Sequence, residues 1–117
     1  MNRDDEFLRS LLMEFEAAED WLIVQSWGLE ADVEQRKRQY HILLLCDAGL
    51  MTQVAKSAFR LTSSGHDYLQ AIRNEGVWAE TKKIVADTGG NATLEILKAL
   101  AIGFLKKQIS DRTGFDI

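Results

Sequence analysis

The residues with the clearest chemistry form one run, Gln35-Arg36-Lys37-Arg38-Gln39-Tyr40-His41. Arginine can pair with the edge of guanine and glutamine with that of adenine, while lysine meets phosphate, so this run on a helix reads as a nucleic-acid contact. Each helical residue turns about 100°, so three successive cations circle the axis and at most two can face one groove. Lys56 and Arg60 would add contacts to the phosphate backbone. The candidate contacts are therefore Gln35, Arg36, Lys37, Gln39, Tyr40, His41, Lys56 and Arg60. The competing reading is a solvated, charged turn offset by Glu30, Asp32 and Glu34.

Other chemistry is sparse. His41 and His66 stand far apart without a zinc spacing, Cys46 is the single cysteine, and neighbouring acids such as Glu19-Asp20 point in different directions on a helix. Catalytic residues, metals and cofactors are therefore not expected. His41 has a second reading, as a partly buried histidine bonded to a backbone carbonyl, and His66 is read as tying the hairpin before it to the helix that follows. Cys46 lies in an apolar run and reads as a buried thiol in a reducing compartment.

These residues need a scaffold, and its elements follow from spacing. Leu8, Leu11, Leu12 and Phe15 fall on one helical face over residues 4–17. Trp21 to Val24 reads as a short strand or extended link closed by Ser26-Trp27-Gly28. A helix is predicted from Asp32 to Ala48, ended by Gly49 with Leu50 as the hydrophobic contact of its cap. Leu50–Val54 and Ala58–Leu61 read as a hairpin turning at Ala55-Lys56-Ser57. Thr62 caps a helix through Ile72, Asn74 to Gly76 breaks it, and another segment runs to Gly89-Gly90. Thr93 caps the last helix, Leu94 to about Ile109, with a frayed tail over 110–117.

That last helix is apolar on most of its circumference, so it must be buried on more than one side, either wholly within this chain or in part against a second protein. A homodimer interface is expected at Leu97, Leu100, Ala101, Phe104 and Leu105. The expected fold is mainly α with a small β-wing: a single winged-helix domain over 1–109, a winged helix-turn-helix with extra C-terminal helices.

The 117 residues, 46% hydrophobic and 27% charged, are an ordinary globular balance. The net charge of −4 opposes phosphate binding, but residues 1–20 hold seven acids against Arg3 and Arg9, which leaves the other residues at +1. No basic flank with an apolar core opens the chain, and the apolar stretch from Leu94 to Leu105 is too short to span a bilayer, so a cytoplasmic protein is expected.

Tyr40-His-Ile-Leu-Leu-Leu-Cys-Asp-Ala-Gly-Leu50 and Arg60-Leu-Thr-Ser-Ser-Gly-His-Asp-Tyr-Leu69 resemble the recognition helix, wing and following helix of bacterial winged-helix proteins. With Trp78, Thr81-Lys-Lys83 and Gly89-Gly90, the chain is similar to a family of short bacterial and phage-borne proteins of unknown function. The resemblance implies a winged-helix fold, cytoplasmic residence and carriage on phages and mobile elements, but no activity. Relatives carry an aliphatic residue where Arg38 stands, so either the helix is rotated or Arg38 buries its stem and keeps its guanidinium wet. The expected function is non-enzymatic DNA binding by a small regulator. The alternative is a protein-interaction module on the same scaffold, a phage product acting on a host protein.

Overall fold

Helix α1, Asp5–Ala17, begins where Asp4 takes an extended conformation and its carboxylate accepts from the Phe7 amide at 3.0 Å. Asp5 and Glu6 sit in its first turn, where the helix dipole favours negative charge. The four apolar residues predicted for one face, Leu8, Leu11, Leu12 and Phe15, are all buried. The computed structural model describes residues 1–25 and 28–117, so the turn expected at Ser26-Trp27-Gly28 lies partly outside the described residues. They form two compact units, Met1–His66 and Asp67–Ile117.

In the first unit, α1 is followed by strand β1, Ile23–Val24, and helix α2, Val33–Asp47. Asp32 and Gln35 cap α2 reciprocally: the Asp32 carboxylate accepts from the Gln35 amide at 2.8 Å, and the Gln35 side chain accepts from the Asp32 amide at 3.0 Å. Gly49, at φ 76°, ends it in the left-handed region, and the Leu50 amide turns back to the Leu45 carbonyl. Strands β2, Met51–Ala55, and β3, Ala58–Leu61, form the expected hairpin, with a bulge between Gln53 and Ala55. β1 pairs antiparallel with the other edge of β3, aligning Ile23 with Phe59 and Val24 with Ala58, so the sheet order is β1-β3-β2. Ile23, Met51, Phe59 and Leu61 of the sheet are buried.

The base of the hairpin is closed by Thr62. Its hydroxyl donates to the Gly49 carbonyl at 2.6 Å and accepts from the Gly65 amide at 3.0 Å, capping helix α3, Ser63–Ile72. A Cβ on Gly65 would lie 2.0 Å from the Leu50 carbonyl oxygen, so main chain meets main chain there and only glycine fits.

The second unit continues α3 and adds α4, Glu75–Asp87, and α5, Leu94–Thr113. Asn74 does not merely break the chain. Its side-chain oxygen caps α4 through the Val77 amide, and its amide nitrogen donates to Gln108 of α5 at 3.0 Å. Gly89 and Gly90 both take positive φ and end α4, and Thr93 caps α5. α5 continues past the expected end at Ile109 to Thr113, because the Gly114 amide closes the last turn on Ser110 at φ 75°. The architecture is thus mainly helical with a small antiparallel sheet, an α+β chain. Among the described residues no helix is long and apolar enough to cross a membrane.

Candidate interaction surface on helix α2 and the hairpin

The cations of α2 divide between its two sides. Lys37 and Arg38 turn toward α1. The Lys37 ammonium lies 3.3 Å from the Asp4 carboxylate and 4.5 Å from the centre of the Phe7 ring. Arg38 grips both carboxylate oxygens of Glu14, one at 3.1 Å, while its Nε donates to Gln25 at 2.7 Å and its guanidinium carbon lies 5.3 Å from the centre of the Phe15 ring. The Arg38 side chain is 29% exposed, and Glu14 holds its guanidinium at the rim. The Arg38 guanidinium holds the Glu14 carboxyl below its usual range, against a smaller opposing effect of burial. The Phe7 amide, aided by Lys37, does the same for Asp4, again against partial desolvation.

His41 leaves the candidate contact set, because the structure encloses it completely. The Asp4 amide can only donate, and it points at His41 Nε2 from 2.9 Å. Nε2 is therefore the unprotonated nitrogen, and Nδ1 carries the hydrogen that goes to the Lys37 carbonyl at 2.7 Å. Phe7 and Tyr40 close the ring in edge-on contacts at 4.9 and 5.5 Å. His41 thus has the carbonyl bond of its second reading but is fully rather than partly buried, and it joins the start of α1 to α2.

The outward side of α2 presents Val33, Arg36 and Leu43 in the open, with Gln39 and Tyr40 half-buried beside them. Gln35 is exposed but committed to its cap. Lys56 stands exposed at the hairpin tip, and Arg60 is exposed on β3 with one guanidinium nitrogen donating to the Leu61 carbonyl. The tip is tied to α2 indirectly. Gln25, which receives Arg38, donates its own amide to the Ser57 carbonyl at 2.8 Å. One polar chain, Glu14 to Arg38 to Gln25 to Ser57, thus fixes α1, α2 and the hairpin relative to each other. Of the eight predicted nucleic-acid contacts, Arg36, Lys56 and Arg60 remain as exposed cations, and Lys37 is drawn off by Asp4.

A cleft of about 430 Å³ lies beside this surface, which the sequence reading missed. Glu16, Glu19, Asp20 and Trp21 from the end of α1 and its turn face Arg60 and His66 across it. Trp21 is 68% exposed rather than part of a strand, since pairing begins only at Ile23. His66 lines this cleft with an exposed side chain. Cys46, expected to be buried, is half-buried, with its thiol pushed up first by burial and then by Asp47. Among the described residues no group of three His, Cys, Asp or Glu could hold a metal ion.

The predicted dimer residues also divide. Leu97 and Ala101 are buried within the chain and are core rather than surface, whereas Leu100, Phe104 and Leu105 are half-buried.

A family model described as "Hypothetical protein (DUF2513)" matches residues 2–91. An uncharacterized protein of Haemophilus influenzae is 25% identical over 122 aligned residues, covering 94% of this chain and 100% of that protein. No solved structure matches at a significant level.

Proposed function

The chain belongs to the family described as Hypothetical protein (DUF2513), and on that premise we propose a non-enzymatic winged-helix protein whose α2 face docks on another protein. Support for the scaffold comes from the order α1-β1-α2-β2-β3 with β1 paired to the far edge of β3, the strand arrangement of a winged helix.

The observation that carries the docking reading is the division of α2. Two of its three cations are neutralised by Asp4 and Glu14, while its outward side offers Val33, Arg36, Tyr40 and Leu43. Tyrosine and arginine flanked by exposed aliphatic residues are the types that dominate protein-interface energetics. Charge agrees: residues 1–66 hold seven basic and eleven acidic side chains, so the whole net charge of −4 sits in the unit that contains α2. Phosphate would meet that field as repulsion. The carriage on phages implied by the resemblance makes a host protein, in the cytoplasm, the partner in this proposal.

The test is affinity capture from nuclease-treated bacterial lysate with the wild-type chain and Leu43→Glu. A stoichiometric protein retained by the first and lost by the second is expected. Capture that disappears on nuclease treatment would overturn the reading.

DNA binding is the second reading, favoured by the exposure of Arg36 at the start of α2 and Lys56 at the hairpin tip. On that reading Arg36→Ala lowers the salt dependence of binding by about one counterion, whereas Lys37→Ala changes it less because Asp4 already neutralises Lys37.

A further inference from the structure

Leu94, Leu97 and Ala101 are buried, which leaves the opposite side of α5 to solvent. At about 100° per residue that side is centred on Ala99, Gly103 and Ser110, with Ile96 and Lys107 along one edge. Ile96 is 49% exposed, and a Cβ placed on Gly103 meets nothing within 4 Å. Glu95 and Lys106, both exposed, lie about three turns apart along the other edge of this face.

We propose that this face docks on the same face of a second copy of the chain, with the two helices antiparallel. Charge selects both the occupant and the direction. About an antiparallel two-fold axis the same edges of the two helices meet, so Glu95 of each copy stands opposite Lys106 of the other and the ion pair forms twice. A parallel pair would turn that edge toward the partner's other edge, setting Lys106 beside Lys107 and leaving Glu95 without a cation at its height. The axis falls between Ala99 and Gly103, whose small side chains let the helices approach closely, and Ile96 covers the aliphatic stem of Lys107 of the second copy. The surface is separate from α2, so this inference stands whether or not the docking reading of α2 does. It replaces Leu97 and Ala101, which the fold has already used, with residues of the same helix that remain available.

Sedimentation velocity of the full chain tests it. The wild type is expected to be dimeric by about 100 µM. Gly103→Glu should be monomeric with unchanged helical circular dichroism, since the monomer has room for the side chain. Ala99→Arg, at another exposed position on the same face, provides the same reading should Gly103→Glu fail to fold. Glu95→Lys should weaken association about tenfold, and adding Lys106→Glu should restore it. A wild type that stays monomeric, folded face variants that stay dimeric, or a double variant no tighter than Glu95→Lys alone would each overturn the proposal.

Discussion

Helices α2 and α5 both lack a clean division into an apolar stripe and a polar one, and they reach that condition from opposite directions. α2 looks too polar to be anchored: its middle is a run of cations followed by a histidine. It is held by those same residues, because Lys37 and Arg38 set their charged ends against the rings of Phe7 and Phe15 and beside Asp4 and Glu14, while His41 is bonded at both nitrogens. α5 looks too apolar to be exposed, yet Ile96 and Ile109 are open while Leu94, Leu97 and Ala101 carry its packing. In the first helix charge is structural, and in the second hydrophobicity is partly surface. Residue type alone assigns neither; the partner supplied by another element does.

The contrast can be broken most sharply on α5. Leu97→Ala should cost about 2–4 kcal/mol in urea unfolding, since Leu97 is 2% exposed, whereas Ile96→Ala one residue earlier should stay within about 0.5 kcal/mol at concentrations where the chain is monomeric. Equal losses would mean that α5 has no exposed side. On α2, His41→Ala should cost about 2–3 kcal/mol, because it strands the Asp4 amide and the Lys37 carbonyl and leaves a cavity. A near-neutral result would remove the claim that a polar residue anchors this helix.

Arg38→Ala should cost about 1 kcal/mol, kept low by the exposure of Glu14, against a change near zero for Arg36→Ala. If the two substitutions behave alike, the division of α2 into inner and outer cations is wrong. The smallest expected effect is in acid. The Glu14 and Asp4 carboxyls titrate lower in the folded chain than when unfolded, so their contribution is present above the ordinary carboxylate range and is lost as pH falls through it. Thermal melts from pH 6 to pH 3 should therefore decline, and Glu14→Gln should flatten part of that decline.

What the sequence made legible was what depends on neighbours along the chain. The Leu8-Leu11-Leu12-Phe15 face, the start of α2 near Asp32, the Thr93 cap, Gly49 and the hairpin are all decided within a few residues, and the structure has them at or beside their predicted places, with the expected three-residue turn shortened to Lys56-Ser57 by the pairing of Ala55 with Ala58. The inward side of α2 is decided at a distance. Lys37 finds Asp4 33 residues away, Arg38 finds Glu14 24 away, and His41 takes an amide 37 away. No periodicity encodes those meetings, although the charge at Arg38, where the resemblance implies an aliphatic residue, marked a position at which either the helix is rotated or the side chain snorkels. The cleft at Trp21 was illegible for the same reason, since its walls come from separated segments. The extra turn of α5 did have a local signal in Gly114, the same kind of stop that marked Gly49.

The main-chain contact between Gly65 and Leu50 determines where this chain could accept added residues. Leu50 offers its carbonyl both to the Thr62 amide and to the bare face of Gly65, so the two feet of the hairpin are clamped at a fixed separation. A peptide inserted between Lys56 and Ser57 lengthens only the free tip, at a closure cost that grows slowly with its length. The same peptide inserted between Leu61 and Gly65 would pull Thr62 off both Gly49 and Leu50 and uncap α3. The hairpin is therefore a mount with a rigid foot and a replaceable end.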